Sequence, residues 1–254
     1  LENLFGAGSS PLIDGGKVIA TVGGRTQKAG VVAFELATGH VLWKAVADGS
    51  SYSSPVMATI GGKQRVIALT RLKCVVLDPH NGDVLAEFPY GLRGPTVTAA
   101  NPIVIRDQLF LSASYGIGAR LVNLAGAQPE ELWDGNDLMS SQYTTCIEHD
   151  GLLYGVDGRQ DIPPATLKCF DPVTQKVIWS EEDFGYATLI KADGKLLIMT
   201  TDGELVLAAL GGDTFQPLKR TRLFNDTVRA LPALSNGKLY VRDTGTLKCV
   251  NLGE

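Results

Sequence analysis

Four cysteines, three histidines and three tryptophans are the side chains of this 254-residue chain with the most chemistry to offer. Cys74, Cys169 and Cys249 each end a Leu-Lys-Cys triplet, Cys146 lies in a run of its own, and no two cysteines are adjacent. Triplets repeated this far apart read as the same position in separate structural units. Such positions lie beyond the roughly 7 Å Cα separation that a disulfide spans. All four are expected to be free thiols buried in a core. His40, His80 and His149 fall in the turn-like sequences Thr38-Gly39-His40, Pro79-His80-Asn81 and Glu148-His149-Asp150, without metal-ligand spacing, and are expected on exposed turns. The acidic stretches Asp157 to Asp161 and Glu181-Glu182-Asp183 lack the calcium-loop spacing and read as solvated loops. Gly116-x-Gly118 has no third glycine at the right step, so it is no dinucleotide loop. No nucleophile elbow of the G-x-S-x-G type occurs, and the sequon Asn225-Asp226-Thr227 reads as chance.

What positions these residues is a repeat. Pro11, Pro55, Pro102, Thr145, Thr188 and Pro232 open successive units at steps of 44, 47, 43, 43 and 44 residues. Residues 53–88 are the clearest copy: a Ser-Ser-Pro start, an apolar run, a Gly61-Gly62 turn, two more runs, a Pro-His-Asn-Gly turn and a short last run. Short Val/Ile/Leu runs bounded by Gly, Asp and Asn read as strands joined by hairpins. A four-strand unit recurring every ~40–45 residues is the signature of a β-propeller blade. The inner runs are almost continuously apolar because a sheet between two others hides both faces.

The expected fold is therefore all-β: a propeller of four-stranded antiparallel blades, about six in this chain, forming one domain over residues 1–254. The blades are placed at about 9–49, 51–91, 100–136, 143–183, 186–226 and 229–254. Blade four carries an insertion at 157–164, blade five holds Pro217 in its outer strand, where an edge tolerates it, and blade six shows three strands without a fourth. Either Leu1–Phe5 supplies that strand and closes a six-bladed ring, or the closing strand lies upstream. Apolar runs are strand-length, so no membrane span is expected. With a formal charge of −4 and no Lys/Arg cluster, nucleic acid is not an expected partner. No leader is legible at the start, and the sequence reads as a mature form or a piece of a longer protein.

Ala37-Thr38-Gly39-His40-Val41-Leu42-Trp43 and Pro172–Trp179 resemble the turn-and-tryptophan end of the quinoprotein (PQQ-like) propeller repeat. Ser51–Val56, Asn101–Val104 and Gly151–Arg159 are similar to PQQ-like repeat proteins abundant in Planctomycetes. The resemblance covers nearly the whole chain. It implies a blade-docking role for Trp43, Trp133 and Trp179, two further blades upstream in an eight-bladed ring, and a periplasmic or otherwise extracytoplasmic location. The same fold serves the periplasmic lipoprotein of the outer-membrane β-barrel assembly machinery. Enzymes of the wider class use PQQ with Ca²⁺, a carboxylate base, a stacking tryptophan and often a disulfide of adjacent cysteines.

The residues expected to face a ligand lie on loops at the central funnel: Tyr52, Asn101, Gln142, Tyr143, Tyr186 and Arg229 before the inner strands, and Arg25, Tyr115 and Arg159 on hairpins. This polar, aromatic set suits a peptide, glycan or protein surface and contains no nucleophile–base pair. The expected function is a non-catalytic scaffold for a protein or glycan partner, with no cofactor and no metal. The alternative is a quinoprotein dehydrogenase using PQQ and calcium, its catalytic elements incomplete in this chain.

Overall fold

A computed structural model describes residues 8–253, so the expected closing strand at Leu1–Phe5 lies outside the described residues. The chain falls into two compact units, one up to Tyr143 and one from Thr144. The first holds three four-stranded sheets, each in meander order. They are β1 (Leu12–Asp14), β2 (Lys17–Thr21), β3 (Val31–Glu35) and β4 (Val41–Ala45); β5 (Val56–Ile60), β6 (Lys63–Leu69), β7 (Lys73–Leu77) and β8 (Val84–Pro89); and β9 (Ile103–Ile105), β10 (Gln108–Ala113), β11 (Gly118–Asn123) and β12 (Glu130–Gly135). The second unit holds β13 (Ile147–His149), β14 (Leu152–Asp157), β15 (Thr166–Phe170) and β16 (Val177–Glu181), then β17 (Ala187–Ala192), β18 (Lys195–Thr200), β19 (Glu204–Ala209) and β20 (Pro217–Arg222). Its last sheet, the sixth in the chain, has three strands among the described residues: β21 (Ala233–Ser235), β22 (Lys238–Arg242) and β23 (Leu247–Asn251). All pairings are antiparallel, and the four-stranded meander is the blade unit of β-propeller proteins.

Local chemistry sets the register. The first hairpins of five sheets turn on Gly15-Gly16, Gly61-Gly62, Asp150-Gly151, Asp193-Gly194 and Asn236-Gly237, with φ positive at both residues. That geometry matches the strands' right-handed twist and favours Gly, Asn and Asp. The turn after the third strand is held by an acidic side chain. Asp78 accepts the His80 amide at 2.9 Å, and Asp171 accepts those of Val173 and Thr174 at 2.8 and 3.3 Å. Beyond that turn all five four-stranded sheets carry a bulge between their third and fourth strands. The residues left over are Leu42, Leu85, Leu132, Ile178 and Leu218, of which only Ile178 is half-buried and the rest exposed. Pro217 opens the edge strand β20 at such a bulge, where its missing N–H breaks no ladder.

The core explains the apolar runs. Along β6, Val66 and Ala68 pack toward the first sheet, while Ile67 and Leu69 pack toward the third. In β7, Val75 and Leu77 join the first set, Cys74 and Val76 the second. Strand alternation combined with burial on both sides leaves no polar position in the run.

Two expectations about side chains need correction. Cys74, Cys146 and Cys169 are buried, but Cys249 is exposed, because among the described residues no strand pairs with the outer edge of β23. His149 is the last residue of β13 and half-buried, whereas His40 and His80 lie on exposed turns.

Candidate functional site

The hairpin between the second and third strands of a sheet meets the segment that joins two sheets, and both lie at the same end of the strands. In the first unit this meeting is organised by Asp48, only 4% exposed. Its carboxylate accepts the amides of Gly49 and Leu72, each at 2.8 Å, and the Thr70 hydroxyl at 2.7 Å. The Arg71 amide donates to the Gly49 carbonyl at 2.9 Å, and the Arg71 guanidinium donates to the Gly94 carbonyl at 2.8 Å. Ser51 Oγ donates to the Leu69 carbonyl at 2.7 Å. A buried carboxylate satisfied by three donors rigidifies what it joins. Neither Asp48 nor Arg71 was singled out by sequence reasoning. The only signal was an Asp-Gly before a Ser-rich start, which also reads as an ordinary loop.

The expected residues sit on this framework. The Tyr52 amide donates to the Thr98 carbonyl at 3.1 Å, and its side chain is half-buried. Asn101 Oδ1 accepts the Ser54 amide at 2.8 Å, pinning the start of one sheet to that of the next. Tyr115 occupies a left-handed backbone position, φ 65°, and its hydroxyl accepts from Gln142 Nε2 at 2.9 Å. Sequence reasoning named those two separately, and the fold brings them together. Tyr143 is half-buried and Arg25 exposed on the 22–30 hairpin.

In the second unit, Arg159 and Tyr186 share one pocket of about 250 Å³ with Gln160, Pro163, Asp183 and Thr201. The Arg159 guanidinium forks onto the Asp161 carboxylate at 2.9 and 2.5 Å, which fixes its plane. Tyr186 is only 3% exposed, its hydroxyl accepts the Thr144 amide at 3.0 Å, and its carbonyl accepts the Thr201 amide at 2.8 Å. It braces the pocket rather than reaching out of it. Arg229 is exposed on the segment between the fifth and sixth sheets.

The buried thiols offer no nucleophile. Burial pushes Cys146 up to about 12 and raises Cys74 and Cys169 as well, so they stay protonated near neutrality. Burial likewise lifts the Tyr154 hydroxyl to about 12.

The three tryptophans are taken up by packing. Trp43 donates through Nε1 to the Pro79 carbonyl at 3.3 Å and lies against Gly82 of the next sheet, where a Cβ would come within 2.5 Å of the indole. Trp179 is wedged between Tyr154 and Phe215, ring centroids 5.8 and 5.4 Å away, and Trp133 tilts on Phe110 at 6.2 Å. Every indole is thus engaged on a fourth strand. Among the described residues, no three His, Cys, Asp or Glu side chains converge to hold a metal ion.

Comparison with known proteins was consistent with this architecture. The family model described as outer membrane protein assembly factor BamB matches residues 3–181. Among solved structures, the chain is similar to the computationally designed Ika8 protein, with a TM-score of 0.69 at 16% identity, covering 95% of this chain and 70% of that one. It is similar to BamB from Moraxella catarrhalis, with a TM-score of 0.52 at 16% identity over 93% and 82%. It is also similar to the Cps50 (Swd1) β-propeller domain of Myceliophteria thermophila, with a TM-score of 0.57 at 14% identity over 95% and 87%. No curated protein matches the sequence.

Proposed function

This chain belongs to the BamB family of PQQ-type β-propeller repeat proteins, and on that premise we propose that it is a non-catalytic scaffold that binds a protein partner through the loop end of its sheets. The observation that carries this reading is the pocket around Arg159. A guanidinium held by Asp161 is presented beside Gln160 and Pro163, on a floor braced by the Tyr186–Thr144 hydrogen bond. Fixed polar and aromatic groups on loops tied to rigid sheets are what a protein surface recognises with little ordering cost. In the first unit the Tyr115–Gln142 pair offers the same kind of group at the same end of its strands. The description of the family as an assembly factor supports a partner engaged in outer-membrane protein assembly; our proposal places the chain in an extracytoplasmic compartment and calls on neither PQQ nor calcium.

The test is made in the host. Cells whose copy carries Arg159→Ala with Tyr115→Ala should contain normal amounts of this protein but less folded outer-membrane protein. Normal outer-membrane protein levels, or calorimetric binding of PQQ with Ca²⁺ to the purified chain, would count against the reading.

A further inference from the structure

Three sheets carry a tryptophan at one fixed place on the fourth strand, beside the bulge. Trp43 lies opposite Ala33, Trp133 opposite Leu121 and Trp179 opposite Cys169. In the fifth sheet that place is Lys219, and in the second, opposite Val76, it is Ala86. Ala86 and Val76 face the third sheet, the side on which Ile67 and Leu69 also pack. Where the first sheet fills this side with an indole, the second leaves a hollow of about 280 Å³. Ala86 and Val76 form its floor, with Ile60, Leu85, Leu124 and Ala127 around them. Small as it is, Ala86 is only half-buried, whereas Trp43 and Trp179 in the same place are 7% exposed.

The hollow keeps the geometry of the filled slot. At Trp43 the facing turn begins with Asp78, whose carboxylate accepts the His80 amide, and the Pro79 carbonyl between them takes the indole N–H at 3.3 Å. Asn123 begins the turn of the third sheet in the same manner, its Oδ1 accepting the Ala125 amide at 3.1 Å. Leu124 therefore stands where Pro79 does, with its carbonyl in the place that receives an indole N–H. The turn continues through Ala125, Gly126 and Ala127, which are too small to fill the space. An apolar cavity of roughly 150 Å³ already takes up benzene, so this one has room for the two fused rings of an indole. Charge does not choose the occupant. Lys63 and Arg65 line the hollow, but Asp78 lies 3.5 Å from Arg65, and Asp107 is close by, accepting the Gly61 amide at 2.8 Å.

From these features we infer that the hollow between the second and third sheets receives the indole of a tryptophan carried by a partner protein, seated as Trp43 is seated on the second sheet. The partner is a different protein, because the chain has three tryptophans and all are engaged in their own packing, so a second copy has none to offer. The ring arrives on a polypeptide rather than free. Leu85 at the hollow and Val84 beside it are 43% and 44% exposed, apolar surface that a lone ring would leave uncovered. One aromatic anchor in a preformed pocket carries much of the binding energy of such a contact. The hollow lies at the opposite end of the strands from the Tyr115–Gln142 pair, and the inference stands without the loop-end reading.

The chain's own β4 supplies the probe. The end-blocked peptide Val-Leu-Trp-Lys-Ala, the sequence of residues 41–45, is titrated into the isotope-labelled full chain and followed by amide NMR shifts. Saturable shifts are expected at Gly61, Ala86 and Gly126, with an affinity about tenfold or more above that of free indole. The same peptide carrying Trp43→Ala should bind about tenfold more weakly or worse. In the full chain, Ala86→Trp should fill the slot from within and abolish the shifts. Ala86→Leu, a smaller change should the first variant fail to fold, should weaken the peptide about tenfold. The inference is overturned by absence of saturable shifts on a folded chain, by shifts that map away from the hollow, or by binding that Ala86→Leu leaves unchanged. It is equally overturned by indole binding as tightly as the peptide, or by a dimer that the peptide dissociates. Those results would assign the hollow to a free aromatic molecule or to a second copy.

Discussion

Replacing Gly82 by alanine probes how one sheet docks on the next. Gly82 sits at φ 76°, where an L side chain costs about 1–2 kcal/mol. A Cβ there would stand 2.5 Å from Cε3 and 2.7 Å from Cδ2 of Trp43, so either the turn or the indole must move. Overpacking of this kind costs about 1–3 kcal/mol, giving a loss of about 2–5 kcal/mol for Gly82→Ala. Trp43→Ala alone should cost about 3–5 kcal/mol, since the indole is buried and its N–H is bonded to Pro79. In the double variant the clash is gone, so the combined loss should fall short of the sum by about 1–3 kcal/mol. Urea unfolding of the four proteins measures the cycle. Strict additivity, or a Gly82→Ala loss below about 1 kcal/mol, would refute the docking geometry and the reasoning built on it.

Four further outcomes follow from the same structure. Asp48→Ala should cost about 2–4 kcal/mol by stranding the Gly49 and Leu72 amides and the Thr70 hydroxyl, with hydrogen exchange at Leu72 accelerating most. Tyr186→Phe should cost about 1–2 kcal/mol through the lost acceptor for Thr144, whereas Arg159→Ala should change stability by less than about 1 kcal/mol, both read by urea unfolding. A thiol reagent near pH 8 should modify Cys249 at once and the other three cysteines only on unfolding. Cys146 also gives stability a pH dependence. Its thiol is raised in the folded state, so its contribution is intact below the ordinary value of 9.0 and is lost as pH rises toward about 12. Cys146→Ala should flatten that alkaline decline in urea unfolding followed against pH.

The repeat carried the fold because each blade writes the same physics into the chain. Paired positive-φ residues start a hairpin, a doubly buried strand reads as an unbroken apolar run, and an acidic side chain holds the turn after Val76-Leu77. What the sequence hid depends on neighbours in space. Leu-Lys-Cys is identical in β15 and β23, yet one copy is buried and the other bare, because burial is decided by a strand the triplet does not encode. The five bulges left no mark beyond an extra apolar residue such as Leu42 or Leu85. The candidate site was legible as a set of loop residues but not as contacts. Tyr115 and Gln142 are 27 residues apart and meet only through the fold. Asp48, which fixes the loop end of the first unit, looks in sequence like any Asp-Gly turn.

The central claim is that partners are held at the loop end of the sheets. Its most direct test places a photo-crosslinking amino acid singly at Tyr115, Arg159 and Leu218 in the native host, with adducts identified by mass spectrometry. The account expects defined protein adducts at Tyr115 and Arg159 and none at Leu218, which lies on the bulge of an outer strand. Adducts confined to Leu218, or absent from both loop positions while the protein remains folded, would contradict it.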